Sequence, residues 1–186
     1  MRVTMEEIKV GSKRVYEHKF LSVDEDLVKL PNNVTSTRVV LRHPGGAAVL
    51  PITKDHKILL IKQFRYPINQ ELIEIPAGKL DPNESSLVCA MRELEEETSF
   101  ISNHFEFLMS IHPCVGYSDE MIDLFIAYDC ERINDPKSMD DDEFIEVKAY
   151  TLNEIEYLLN NQQITDGKTI IACEHYLRKN SSKDVK

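Results

Sequence analysis

The sequence has no tryptophan, no CxxC pair, no long apolar run and no excess of positive charge. Without tryptophan, any aromatic clamp must come from tyrosine or phenylalanine. The four cysteines, Cys89, Cys114, Cys130 and Cys173, have no histidine partner at zinc-finger spacing, which argues against a structural zinc site. Each reads as a small apolar residue carrying a reduced thiol, as expected of a cytoplasmic protein. No apolar stretch approaches the roughly 20 residues of a spanning helix, so no membrane partner is expected. Met1 to Val10 lacks the apolar centre of a secretory signal. The 22 Lys and Arg are outnumbered by 32 Asp and Glu, a formal net charge of -10. Such a chain is a poor generic partner for nucleic acid or an anionic membrane.

What is present is ordinary globular material: 186 residues, 42% hydrophobic and 29% charged. That length buries one sizeable core. Residues 1–42 read as a small antiparallel sheet, with strands over Arg14 to Phe20, Leu21 to Leu30 and Val34 to Arg42 and a turn at Pro31-Asn32-Asn33. Its apolar content is too modest to stand alone, so it needs the main body or a second subunit to pack on. Residues 43–186 form the main body. Ala47 to Thr53 and Lys57 to Phe64 flank a hairpin turn at Lys54-Asp55-His56, and Glu71 to Ile75 runs into Pro76-Ala77-Gly78, expected as a loop. The clearest helix is Ser85 to Thr98, with Leu87, Val88, Met91 and Leu94 as its apolar stripe. Strands follow over Phe105 to Ile111, Ile122 to Tyr128 and Phe144 to Tyr150. Thr151 and Glu154 form a capping-box pattern, and Asp166-Gly167-Lys168-Thr169 opens a last helix. The tail from Lys179 is polar and expected to fray. Strands, one helix, more strands and then helices predict an α+β sandwich rather than a doubly wound sheet.

The chemistry concentrates in Gly78 to Phe100, GKLDPNESSLVCAMRELEEETSF. Glu93, Glu96 and Glu97 lie three and four apart, on one side of a helix, and Glu84 and Glu95 add to the charge. Like charges this close repel, and a hard divalent cation such as Mg²⁺ or Mn²⁺ removes that cost. Arg92 stands four residues before Glu96, placed for an ion pair. Taken in isolation, the glutamates are better read as a solvated acidic face, because Glu-rich helices are common. Backbone carbonyls of Pro76-Ala77-Gly78 beside the carboxylates favour the cation.

This segment resembles the signature of the Nudix hydrolases, G-x5-E-x7-R-E-U-x-E-E-x-G-U, where U is apolar. Gly78, Glu84, Arg92-Glu93-Leu94, Glu96-Glu97 and Phe100 fall at its positions. Ser99 stands where the family has Gly, a site of left-handed backbone at a helix end, so some stability cost or a shifted turn is expected there. The resemblance implies an α/β/α sandwich around a mixed sheet and hydrolysis of a nucleoside diphosphate linked to another group. It implies that Glu93, Glu96 and Glu97, with the Ala77 carbonyl, hold Mg²⁺, and that Glu84 supports the cluster as partner of Arg92 or as an outer ligand.

From about Phe20 to Leu177 the chain is similar to the ADP-ribose pyrophosphatase branch of that family, through Arg42-His43-Pro44-Gly45, Gln63-Phe64-Arg65, Glu74 to Leu80, the loop of Pro113, Gly116 and Glu120, Glu143, and Asp166 to Thr169. By that resemblance Glu143 activates water, with Asp142 and Glu146 as neighbouring alternatives, and Arg65 meets a phosphate or the terminal ribose. Arg42 lies near the adenine or a phosphate, and Phe20 stacks on adenine or packs in the first sheet. Glu74 and Glu120 line the pocket. The resemblance also implies a homodimer, with the N-terminal sheet crossing to its partner. The competing expectations are a hydrolase of another nucleotide sugar such as GDP-mannose, a nucleotide sensor that does not cleave, and an mRNA-decapping enzyme. Retention of all the box glutamates speaks against the sensor, and the acidic charge against the decapping enzyme.

Overall fold

The computed structural model describes residues 4–137 and 144–181. The chain groups into two compact units, one of Met1–Gly45 with His112–Met121 and one of Gly46–Ile111 with Ile122–Lys186.

The first unit holds a three-stranded antiparallel sheet in the order β1 (Ile8–His18), β2 (Leu21–Lys29), β3 (Thr35–Arg42). β1 begins well before the expected Arg14, because its pairing with β2 continues through two register shifts to Ile8 opposite Lys29. The turn after β2 rests on Asn33, whose φ of 67° is tolerated by an asparagine, and on the Asn32 side chain accepting from the Val34 amide. Alternation along β2 puts Ser22, Asp24, Asp26 and Val28 on one face, all buried. The other face carries Leu27, 42% exposed, and, opposite Glu25 on β3, Val39, 60% exposed. This sheet therefore buries charge and shows apolar side chains, the inverse of the usual pattern. The 112–121 loop is stitched to β3 by Leu41 N–H to Tyr117 O (2.7 Å) and Asp119 N–H to Leu41 O (3.2 Å).

The second unit is an eight-stranded mixed sheet. Its strands are β4 (Gly46–Thr53), β5 (Ile58–Arg65), β6 (Gln70–Glu74), β7 (Ala77–Lys79), β8 (Phe100–Ile101), β9 (His104–Ile111), β10 (Ile122–Arg132) and β11 (Ile145–Tyr150). Its helices are α1 (Ser86–Thr98), α2 (Leu152–Asn160) and α3 (Gly167–Ser181). Among its described strands only β4 and β10 pair in parallel. Every residue of β4 is buried, as expected of an apolar central strand covered on both sides. Ala48, Leu50 and Ile52 pack with Ile155 and Leu158 of α2 and Ala172, Cys173 and Tyr176 of α3. Ala47 and Val49 pack with Cys89, Ala90 and Leu94 of α1. Helices on both faces of a mixed sheet make the α/β/α sandwich that the sequence implied. The capping box of α2 is present in full.

Two expectations are corrected here. β4 and β5 leave their hairpin paired only at Ile52 and Ile58, then diverge. The strip from β6 to β7 fills the gap: β6 lies on β5, Pro76 O accepts from the Val49 amide (2.9 Å), and Ala77–Lys79 pairs with Gly46–Ala48. Ala77 and Gly78 are thus in a strand, not a loop, because the divergence leaves backbone groups of β4 that need partners. The apolar stripe of α1 is the second. Leu94 is buried, but Leu87, Val88 and Met91 are 41%, 53% and 43% exposed. The helix turns Cys89, Ala90, Glu93, Leu94 and Glu97 inward instead. Small Cys89 and Ala90 let it approach β4 closely, and Leu94 anchors it, a burial contributing about 2 kcal/mol.

Candidate active site

α1 starts where the Ser85 side chain accepts from the Val88 amide, and ends at Ser99 in the left-handed conformation, φ 62°. Between them Arg92 gathers three carboxylates. Its Nε and Nη2 fork onto Glu84 Oε1 and Oε2 at 2.9 and 3.0 Å. Its Nη1 donates to Glu93 Oε1 (2.6 Å) and to Glu96 Oε2 (3.1 Å). Nη2 also reaches the Lys79 carbonyl at 3.2 Å, tying the helix to β7. The hydrogen bond to Glu84 is the main cause holding the guanidinium far above its usual range. The same bond holds Glu84 below the usual carboxylate range.

Glu93 and Glu97 are buried, 7% and 3% exposed. Glu97 Oε2 accepts from the Ala77 amide at 2.9 Å. Glu93 lies against Gly78, where an added β-carbon would stand 1.6 Å from Oε1. Glu95, the fifth carboxylate, pairs apart from these with Lys137 at 3.0 Å. Cys89 sits beside this cluster, but burial pushes its thiol up to about 12, so it is no nucleophile at neutral pH. Among the described residues no three His, Cys, Asp or Glu groups already converge as a metal cluster; Arg92 occupies the space between Glu84, Glu93 and Glu96. The donor set still suits a hard divalent cation. Glu84, Glu93 and Glu96 share one guanidinium, Glu97 lies one turn on from Glu93 against the Ala77 amide, Glu93 and Glu97 are buried, and all the donor atoms are oxygens.

A second network lies in the same unit. Glu74, 2% exposed, receives a fork from Arg65 Nε (2.7 Å) and Nη2 (2.9 Å) and a third bond from Lys168 Nζ (2.5 Å). Burial alone would raise the Glu74 carboxyl; Arg65 and Lys168 overcome it and hold the group low. The Glu74 hydrogen bond raises Arg65 in turn. Lys168 also meets Asp166 at 3.1 Å, and Asp166 caps α3 through the Thr169 amide at 3.0 Å. Sequence reasoning placed Arg65 and Glu74 separately; the structure makes them one ion pair and adds Lys168.

Phe20, Arg42 and Glu120 belong to the first unit. Phe20, 47% exposed, meets the His43 ring edge-on at 5.5 Å, and His43 Nδ1 lies 3.4 Å from Glu120. Arg42 is engaged by three carboxylates: Asp24 (3.2 Å), Asp26 (2.5 Å) and Asp119 (3.1 Å). Asp24 is also held by Arg14, and Asp26 by Lys9 and Ser12. These two aspartates were not anticipated; their signal was the i, i+2 alternation with Ser22 and Val28. Glu143, the expected base, and Asp142 lie outside the described residues, while Glu146 is an exposed residue of β11.

A NUDIX domain model matches residues 42–172, which include the carboxylate helix. The chain is 36% identical to the methanol dehydrogenase activator of Bacillus methanolicus over 91% of this chain and 92% of that one. It is 33% identical to the ADP-ribose pyrophosphatase of Bacillus subtilis over 92% and 93%. The crystal structure of an ADP compounds hydrolase matches with a TM-score of 0.77 at 22% identity, covering 96% of this chain and 95% of that one, a likeness of fold. With the helix of Glu93, Glu96 and Glu97 in place on this sandwich, the chain belongs to the Nudix hydrolase family.

Proposed function

We propose that this enzyme hydrolyses the pyrophosphate of ADP-ribose, with Mg²⁺, adding water to release AMP and ribose 5-phosphate. The observation that carries this reading is the grouping of Glu84, Glu93 and Glu96 around one arginine, with Glu97 beside them on the Ala77 amide and Glu93 and Glu97 buried. The similarity to an ADP-ribose pyrophosphatase over nearly the whole chain supports the substrate.

Glu93, Glu96 and Glu97, with the Ala77 carbonyl, are the groups that would hold the cation, and Mn²⁺ fits the same oxygens. When bound, a divalent cation neutralises the pyrophosphate and lowers the pKa of an attacking water. Arg92 orients Glu93 and Glu96 and keeps the helix neutral enough to fold. Arg65 meets a substrate phosphate; its fork onto Glu74 uses Nε and Nη2 and does not use Nη1. Glu74 therefore acts through Arg65. Phe20 offers a ring to the adenine, and Arg42 and Glu120 serve that same end of the substrate. Glu143 takes the proton from water.

The exposed apolar face of the β1–β3 sheet, with Leu27 and Val39, supports a homodimer built on residues 1–42, with 43–186 as the hydrolase domain. The free thiols of all four cysteines support a cytoplasmic location.

The test is product analysis with ADP-ribose and Mg²⁺, wild type beside Glu97→Gln. AMP from the wild type, and none from the folded variant, is the expected result. Intact ADP-ribose with both proteins, alongside cleavage of GDP-mannose, would reassign the substrate and keep the reaction.

A further inference from the structure

We infer that Thr169, on α3, is a positioning residue for Glu97 on α1, acting through the backbone of residues 75–77. This rests on the reading of Glu97 as a cation-holding carboxylate. α1 and α3 pack on opposite faces of the sheet, so neither can set the other directly.

The strip between β6 and β7 connects them. Four successive residues of it are each tied to a different place. Glu74 is held by Arg65 and Lys168. The Ile75 amide donates to Thr169 Oγ1 at 2.9 Å, a wholly buried bond. Pro76 O accepts from Val49 of β4 at 2.9 Å. The Ala77 amide donates to Glu97 Oε2 at 2.9 Å.

Thr169 is 0% exposed, and its hydroxyl both donates and accepts. It donates to Asp166 Oδ2 at 2.6 Å, which leaves a lone pair directed at the Ile75 amide. Asp166 is itself fixed by Lys168 and by the Thr169 amide. The segment it holds is stiff. Proline fixes its own φ and confines the residue before it to extended backbone. A displacement of Ile75 is therefore passed along to Ala77 rather than absorbed at Pro76. Ala77 carries the amide on which the Glu97 carboxylate rests. The hydroxyl of Thr169 thus sets a carboxylate on the far side of the sheet. Groups that orient metal ligands commonly change metal affinity when removed, by about tenfold to a hundredfold.

The experiment uses the full chain as Thr169→Val, Thr169→Ser and Asp166→Ala. Three quantities are measured: hydrogen exchange of the Ala77 amide by NMR, Mn²⁺ binding by the resonance of the free ion, and kcat against KM for ADP-ribose. In folded Thr169→Val, Ala77 protection is expected to fall and Mn²⁺ affinity to weaken about tenfold or more. kcat should fall with it while KM stays close to wild type, and Thr169→Ser should restore all three. Ala77 protection and Mn²⁺ affinity both at wild-type level in that variant would overturn the inference and leave Thr169 a helix cap. If Thr169→Val does not fold, Asp166→Ala decides: there the Thr169 hydroxyl remains but loses the acceptor that orients it. Unchanged Ala77 protection there overturns the inference equally. A wild type that binds no Mn²⁺ sinks the cation reading of Glu97, and Ala77 protection then decides the positioning claim by itself.

Discussion

Gly78 on β7 lies so close to Glu93 on α1 that a β-carbon at position 78 would stand 1.6 Å from the Glu93 carboxylate oxygen. The helix and the strand meet through a carboxylate, and the absence of a side chain on one partner creates its seat. Gly78→Ala must therefore push Glu93 out of place. Because Glu93 is a flexible side chain on a helix anchored by Leu94, the fold is expected to survive. A displacement of about 1 Å at such a group costs on the order of 100-fold in kcat. Steady-state kinetics with circular dichroism as a fold control checks this; an active Gly78→Ala would show that Glu93 does not need this seat.

Arg92 pairs with three of the box carboxylates, Glu84, Glu93 and Glu96. Arg92→Met removes the guanidinium and leaves Glu84, Glu93 and Glu96 facing one another. A loss of about 2 kcal/mol is expected, the range for a hydrogen-bonded charge partner. Mg²⁺ should recover more stability in the variant than in the wild type, since it takes over the neutralisation. Denaturant midpoints with and without Mg²⁺ measure both effects, and equal Mg²⁺ gains in the two proteins would contradict the idea.

Ser99 adopts φ 62° and donates its amide to Glu95 O, the geometry in which the family signature has Gly. A side chain is strained there, so Ser99→Gly is expected to stabilise the protein by about 1 kcal/mol. For a chain of this size that raises the melting temperature by roughly 2–4 °C. Activity should not change, because Ser99 contributes no ligand. A lower melting temperature would refute the strain.

Glu74 and Glu84 are held below the usual carboxylate range, Glu74 by its cations against the opposing effect of burial, Glu84 chiefly by Arg92. A folded-state value below the unfolded one means the unfolded chain binds more protons as acid is added. Their contribution is therefore complete above the ordinary carboxylate range, about pH 4.3, and is lost as the pH falls through the folded values. Urea midpoints measured from neutral pH downward should decline in that acid window. Lys168→Met, which removes one of the two cations on Glu74, should lose less stability across that window, its decline levelling off at a higher pH than in the wild type. Superimposable acid limbs would show that Lys168 does not hold Glu74 low.

Much of this was legible along the chain because it depends on local spacing. The capping box of α2 joins residues three apart, and Arg92 reaches Glu96 within one helical turn, so short-range geometry suffices. The inward face of α1 was not legible. Periodicity selected Leu87, Val88 and Met91, yet the helix is oriented by close approach of Cys89 and Ala90 to β4 and by Glu93 at Gly78. Hydrophobic pattern ranks residues by greasiness and carries no information on which side a glycine has left room.

The sequence by itself determined the class of the fold, the carboxylate helix and its family, since these follow from residue type at fixed spacing. Only the tertiary structure decided the charge pairings that join different elements beyond the box. Glu74 meets Arg65, nine positions earlier, and Lys168 on α3, and Ala77 meets Glu97 because β4 and β5 diverge and the strip between them is drawn into the sheet. Such partners are set by where strands part and helices cross, and no local pattern encodes that distance in the chain.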